Sequence, residues 1–265
     1  VMNMYKVLTI AGSDCSGGAG IQADIKTITA HGMYAMSAIT SLTAQNTTGV
    51  YGVMDSTPEI LGKQLDCIFN DIFPDAVKIG MVSDKELIKV IAEKLKEYKP
   101  KNIVLDTVMV ATSGSPLLKP DSVNALIEEL IPLATVITPN IPEAEVLGNC
   151  KIECEKDLKD TAIALYEKYG CNVLVKGGHL NDTATDILCC NGEITEFKGE
   201  RIDNNNTHGT GCTLSSAIAC NLAKGLDLPD AIRNSKEYLV GALKYNLNIG
   251  KGNGPLNHCY KIMED

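Results

Sequence analysis

A polar turn punctuated by glycine, Asn206-Thr207-His208-Gly209-Thr210-Gly211-Cys212, runs directly into Thr213-Leu214-Ser215-Ser216-Ala217-Ile218-Ala219, an apolar, alanine-rich run that reads as a helix. Gly209 and Gly211 let the backbone aim its N–H groups at one point and admit a ligand closely. The free N–H groups and positive dipole of the new helix face the same point, which makes an anion seat. Cys212 stands at its mouth, where a thiol of ordinary pKa about 8.5 is expected to be lowered by the helix N-terminus. One segment thus offers an oxyanion cradle beside a tunable base. The same residues also suit an ordinary loop-to-helix turn around a small buried cysteine.

Other residues of suitable type sit at the ends of β-like runs. Val7-Leu8-Thr9-Ile10 leads through Ala11-Gly12-Ser13-Asp14 to a second glycine-rich stretch, Ser16-Gly17-Gly18-Ala19-Gly20, and then to apolar residues at 21, 25 and 28, a helical spacing. Strand, glycine loop and helix together are where α/β proteins bind small molecules. Gly18-Ala19-Gly20-Ile21-Gln22-Ala23 imitates the dinucleotide fingerprint, but it starts several residues past the strand. No Asp or Glu follows between Asp24 and Asp55, so a Rossmann site is set aside. Gln45 and Asn46 close a strand-like run from Met36; an amide offers donor and acceptor together and can read a planar heterocycle, whereas Asn46 also suits a plain turn.

Asp106 ends the buried run Asn102-Ile103-Val104-Leu105, a position where α/β active sites are built. Asn140 and Glu143, three apart after Val136-Ile137-Thr138-Pro139, can aim oxygens the same way, and sparse oxygen ligands suit Mg²⁺. Glu143 equally suits a helix-dipole role. Lys176, after Asn172-Val173-Leu174-Val175 and before Gly177-Gly178, can neutralise a phosphate.

These ends need strands and helices in alternation to hold them. Pro58 to Phe69, Asp84 to Tyr98, Asp121 to Leu130, Asp157 to Tyr169 and Leu228 to Leu247 are helical patterns. Ala76 to Met81 reads as a further strand, and Asn191-Gly192 marks a hairpin between Thr185 to Cys190 and Glu193 to Lys198. The expectation is one three-layer α/β domain over residues 1–265 with a mainly parallel central sheet. With 45% hydrophobic and 22% charged residues the chain has material for a real core. A net charge of −9 argues against broad binding of nucleic acid or anionic membranes. No apolar run of about 18 residues is present, and the first residues are not expected to be a secretion signal. The ten cysteines are scattered without a C-x-x-C pair, which points to a reducing cytoplasm. A Walker A sequence is absent, so phosphate chemistry here is not of the P-loop kind.

Taken together, these segments resemble the hydroxymethylpyrimidine/phosphomethylpyrimidine kinases of thiamine biosynthesis, in the ribokinase superfamily. The likeness rests on Ala11 to Asp24, Thr43-Ala44-Gln45-Asn46-Thr47, Leu105-Asp106-Thr107-Val108-Met109, Thr138 to Ala144, Val175 to His179, Asn206 to Thr213 and Gly250 to His258. The resemblance implies a ribokinase-like α/β/α sandwich that uses ATP and Mg²⁺, first to phosphorylate 4-amino-5-hydroxymethyl-2-methylpyrimidine and then to extend the monophosphate to the diphosphate. It implies Cys212 as proton acceptor where sugar kinases carry Asp, with the N–H groups of Gly209, Thr210 and Gly211 on the transferring phosphoryl. Asp106, Asn140 and Glu143 would set the metal. Lys176, Thr207, His208, Gly209 and Gly211 would meet ATP. Gln45 would read the aminopyrimidine edge, in a pocket shaped by Gly12, Ala19, Asp24, Met81 and Val108. A homodimer is also implied.

One departure is Thr112, where the family commonly has Lys before Ser-Gly; the second phosphorylation would then lean on Lys176 or His208. A pyridoxal kinase of the same superfamily is the nearest alternative, against which Gln45 argues. A non-catalytic pyrimidine-binding protein is the alternative of another class.

Overall fold

The structure is a computed structural model that describes residues 4–262 apart from 112, 113, 115, 179, 181, 182, 201, 203 and 246. Its frame is a nine-stranded sheet in the order β3-β2-β1-β4-β5-β6-β7-β8-β9. The strands are β1 (Lys6–Asp14), β2 (Tyr34–Asn46), β3 (Gly49–Asp55), β4 (Ala76–Ile79), β5 (Ile103–Leu105), β6 (Val136–Ile137), β7 (Asn172–Val175), β8 (Thr183–Cys190) and β9 (Glu193–Glu200). From β2 to β7 every neighbouring pair is parallel, and the antiparallel pairs β2–β3, β7–β8 and β8–β9 finish the two sides.

Alternating side chains of the central strands feed two cores, which makes the three-layer sandwich. Leu8, Ile10, Val77, Ile79, Ile103, Leu105, Ile137, Val173 and Val175 face one apolar cluster. There they meet helices α2 (Pro58–Asp71), α3 (Lys85–Tyr98), α5 (Ile141–Gly148) and α6 (Glu155–Tyr169). Val7, Ala76, Val104, Val136 and Leu174 face the other cluster, with α1 (Gly20–Ala30), α7 (Thr210–Ala223) and α8 (Leu228–Lys244). Strands buried on both faces read as continuous apolar runs, which is why they are visible in the sequence. Ile79 is 1% exposed, so truncating it to Ala is expected to cost about 2–5 kcal/mol.

Local chemistry sets the helix ends. The Thr57 hydroxyl accepts the Ile60 N–H at 3.2 Å ahead of Pro58, and the Asp84 carboxylate accepts the Glu86 N–H at 2.8 Å. The segment expected as one helix over Asp121 to Leu130 departs from that form. It is α4 (Ser122–Ala125), then a wide π-type turn over Leu126–Leu130 and a tight turn over Ile131–Leu133. Pro132 lacks an N–H and crowds the carbonyl four residues back, so a regular helix cannot continue there. Hairpin residues Asn191 (φ 51°) and Gly192 (φ 83°) adopt the left-handed pair that Asn-Gly favours. The strand β3 gave no sequence signal, because it lies at the sheet edge with Tyr51, Val53 and Met54 all exposed.

Chain connections diverge from β1, with β2 on one side and β4 on the other. Such a switch point opens a crevice beyond the carboxyl ends of the strands. Asp106 follows β5, Asn140 and Glu143 follow β6, Lys176 follows β7, and Gly211 and Cys212 lie in the first turn of α7.

Candidate active site

Helix α7 begins against the glycine loop that follows β1. Gly209 has φ 83°, and a β-carbon there would stand 1.9 Å from the Gly18 carbonyl oxygen. A β-carbon on Gly18 would in turn meet His208 Cδ2 at 2.4 Å. The two glycine-rich segments therefore interlock, and only glycine allows it. The first intrahelical bond runs from the Thr213 N–H to the Gly209 carbonyl at 2.9 Å, so the N–H groups of Gly211 and Cys212 precede the ladder, where the anion seat is expected. Thr210 departs from expectation. Its N–H and hydroxyl both turn back to the Thr207 carbonyl, at 3.2 and 2.6 Å, so Thr210 and the exposed Thr207 shape the turn.

Cys212 is half-buried, and its thiol is not lowered as the helix position suggested. Burial pushes it up to about 11; the Lys78 ammonium pulls down, while the charges of Asp24 and Asp106 push up and a Gly20 N–H bond pulls down. Desolvation outweighs the Lys78 charge and the Gly20 N–H bond here, so the group is a neutral thiol near pH 7. Asp24 is also displaced from its expected place on a pocket floor. It is fully buried, paired with Lys78 Nζ at 2.8 and 2.9 Å, and accepts Thr9 Oγ1 at 2.6 Å and Ser216 Oγ at 2.7 Å. Burial works against the Lys78 charge, yet the Asp24 carboxylate overrides it and raises the lysine above its ordinary value. Ser216 lies one turn beyond Cys212, so this ion pair underlies the helix start.

On the β1–β2 side, Gly12 packs on Met81, whose sulfur would be 3.1 Å from a β-carbon at 12. Ala19 caps α1, its N–H 2.9 Å from Asp14 Oδ2, and Val108 is half-buried just past Asp106. Gln45, the last residue but one of β2, has its amide Nε2 3.4 Å from His208 Nε2. His208, expected on the nucleotide, is turned to this side instead: it is 7% exposed and its Nε2 lies 2.8 Å from Asp14 Oδ2.

On the β5–β7 side, Asp106 and Lys176 pair with each other at 3.4 Å, and the Thr138 hydroxyl donates to Asp106 Oδ1 at 3.2 Å. Burial opposes the Lys176 charge, but Asp106 and Glu143 raise it above its ordinary value. A β-carbon on Gly211 would meet Asp106 Oδ2 at 3.4 Å and Lys176 Nζ at 3.5 Å, so the helix N-terminus and the lysine share one space.

Two members of the expected metal trio, Asn140 and Glu143, share one helix cap. Among the described residues no three acidic, His or Cys side chains are grouped to hold an ion. Asn140 caps α5 through Oδ1, which accepts the Glu143 N–H at 2.9 Å, and Glu143 Oε2 answers by accepting the Asn140 N–H at 3.0 Å. Glu143 keeps a second feature that a cap does not need. Burial, opposed by Lys176 and assisted by Asp106, pushes its carboxyl up to about 7. Two buried acids, Asp106 and Glu143, beside Lys176 fit Mg²⁺, which holds few protein oxygens and most of its waters.

Sequence reasoning missed Asp14 and Lys78. Asp14 receives the N–H groups of Ser16, Gly18 and Ala19 at 2.9, 3.1 and 2.9 Å, so it organises the glycine loop. An Asp followed, after Cys15, by Ser16 and two glycines was the available signal. For Lys78 the signal was a lysine inside the apolar strand Ala76-Val77-Lys78-Ile79, which demands a buried partner. Asp186 was missed as well: it accepts the Gly177 N–H at 2.9 Å and so anchors the residue after Lys176. Thr112 and His179 lie outside the described residues.

A sequence model described as phosphomethylpyrimidine kinase matches residues 14–257. The hydroxymethylpyrimidine/phosphomethylpyrimidine kinase of Rhizobium meliloti is 48% identical over 262 residues, 97% of this chain and 98% of that protein. Among solved structures, phosphomethylpyrimidine kinase from Clostridium difficile is 48% identical with a TM-score of 0.80, covering 89% of this chain and 98% of that one. An ADP complex of Bacillus subtilis pyridoxal kinase is 36% identical with a TM-score of 0.91, covering 99% and 100%. On likeness of this extent the chain belongs to the phosphomethylpyrimidine kinase family.

Proposed function

We propose that the protein transfers the terminal phosphoryl group of ATP to the hydroxymethyl group of 4-amino-5-hydroxymethyl-2-methylpyrimidine, and then a second one to the monophosphate, in thiamine biosynthesis. The observation that carries this reading is the start of α7, where Gly211 brings backbone N–H groups within about one side chain's reach of Asp106 and Lys176. Phosphoryl transfer asks the protein mainly for positioning and for neutralising charge, and this site offers both.

In this reading the N–H groups of Gly211 and Cys212 hold charge that gathers on the migrating group, and Lys176 meets the nucleotide phosphate. Asp106 and Glu143 would hold Mg²⁺ largely through its waters, and the ion would supply charge neutralisation on the phosphates. Cys212, a neutral thiol, orients the attacking hydroxyl and takes its proton late, as a loose transition state permits. Gln45 reads the heterocycle, with Gly12, Ala19, Met81 and Val108 around the ring. With His208 turned to Asp14, this reading assigns the second step to Lys176.

The reading includes one kinase domain over residues 1–265 and, on the superfamily resemblance, a homodimer in the cytoplasm. No helix among the described residues is long and apolar enough to cross a membrane. Pyridoxal phosphorylation is a second activity to assay, because pyridoxal kinases share the fold so closely. Mass spectrometry of products from ATP, Mg²⁺ and the pyrimidine alcohol tests the proposal: species with one and two added phosphates are expected. Unchanged alcohol overturns it, and faster turnover of pyridoxal overturns the substrate assignment.

A further inference from the structure

The ends of an amide have opposite hydrogen-bonding signs, and only their partners tell them apart. Nε2 of Gln45 is placed 3.4 Å from His208 Nε2, and the same ring nitrogen lies 2.8 Å from Asp14 Oδ2. Asp14 Oδ1 takes the Ser16 N–H at 2.9 Å and the Ser16 hydroxyl at 2.7 Å; its Oδ2 takes the Gly18 and Ala19 N–H groups at 3.1 and 2.9 Å. Burial opposes charge on this carboxyl, but the bonds from His208, Ser16 and Ala19 outweigh it and hold Asp14 well below the usual carboxylate range. Asp14 is therefore an ionised, acceptor-only group.

A 2.8 Å contact with such an acceptor requires the hydrogen to be on His208 Nε2, in the neutral ring or in the imidazolium alike. That nitrogen then cannot accept from an amide NH₂. Two donors facing each other at 3.4 Å repel, whereas half a turn of the Gln45 amide gives the ring hydrogen a second acceptor. We infer that Asp14 and His208 are positioning residues that fix the sense of the Gln45 amide, with its oxygen on the histidine side. The inference rests on the proposed role of Gln45 against the pyrimidine. An amide of fixed sense reads one polarity of heterocycle edge. Its oxygen accepts from the exocyclic amino group, and its NH₂ donates to the adjacent ring nitrogen. The 4-oxo analogue of the substrate, with C=O beside a ring N–H, presents the reverse polarity and sets donor against donor.

The test compares kcat/KM for the 4-amino substrate and its 4-oxo analogue, both with ATP and Mg²⁺, on the same enzyme preparation. The ratio of the two cancels the active fraction, so a poorly folding variant still gives a reading. The intact enzyme is expected to favour the amino compound by about 10³-fold or more. His208→Phe frees the amide to turn and is expected to lower that ratio at least about 10-fold. His208→Gln, which retains a donor toward Asp14 and the amide, restores it. Asp14→Asn, which lets the ring nitrogen accept, shifts it in the same direction as His208→Phe. In a Gln45→Leu background the His208→Phe change leaves the ratio unmoved. Parallel loss of both substrates in His208→Phe, with the ratio kept, overturns the inference alone. Failure of the intact enzyme to phosphorylate the amino compound overturns it together with the proposed function.

Discussion

Gly209 and Gly18 touch so closely that a single added methyl at 209 would lie 1.9 Å from the carbonyl oxygen of 18. This contact ties the loop after β1 to the start of α7, and so joins the β1–β2 side of the site to the helix start. Gly209→Ala is expected to destabilise the fold by at least about 2 kcal/mol, since left-handed backbone alone costs an alanine roughly 1–2 kcal/mol. The displaced helix start should also lower kcat/KM by about 10²-fold. Urea unfolding and steady-state kinetics measure the two; an unchanged kcat/KM would show that the seat tolerates displacement.

Replacing Cys212 by Ala is expected to reduce kcat about 10²–10³-fold, with KM for the pyrimidine and affinity for ADP kept within a few-fold. The thiol, pushed up to about 11, should alkylate slowly near pH 7. Rapid labelling of Cys212 by iodoacetamide at that pH, followed by peptide mapping, would contradict the buried-thiol account.

Lys78 and Asp24 are both fully buried, so removing one strands the other's charge. Lys78→Met is expected to cost about 3–5 kcal/mol, and the double variant Lys78→Met/Asp24→Leu to recover much of that loss. Chemical denaturation of the three proteins decides it: a double variant as unstable as the single one rules out uncompensated charge as the cause.

His258 is 4% exposed, with its Nε2 2.9 Å from the Thr213 hydroxyl, and burial lowers its pKa from 6.5 to about 4. A depressed histidine gives stability that is present above the unfolded value and lost as pH falls, because the unfolded chain takes up the proton first. Between pH 7 and 4.5 the native protein is expected to lose about 2–3 kcal/mol more than His258→Gln does. Other titrating groups are common to both proteins and drop out of the difference. Parallel stability–pH curves would mean that His258 is protonated equally in both states.

Burial patterns made much of the architecture legible. Central strands such as Ala76–Ile79 and Ile103–Leu105 are apolar throughout because both faces are covered, and Asn191-Gly192 announced its hairpin through backbone preference. The edge strand Gly49–Asp55 was silent because solvent on both faces imposes no alternation. Pro132 was in plain view, yet the response of the helix around it depends on the packing that holds its two sides.

At the site, the sequence by itself determined which residues have the right chemistry and that the start of α7 must be glycine-built, since turn geometry and helix polarity are local properties. It also carried the family likeness, which is a property of residue order. Only the tertiary structure decided the state and partners of those residues. Burial raised the Cys212 thiol against the pull of Lys78, a lysine 54 positions away claimed Asp24, and an aspartate 194 positions away turned His208 toward Gln45. Charge and desolvation depend on what the folded chain brings within a few ångströms, and that distance is not written in the spacing of residues along it.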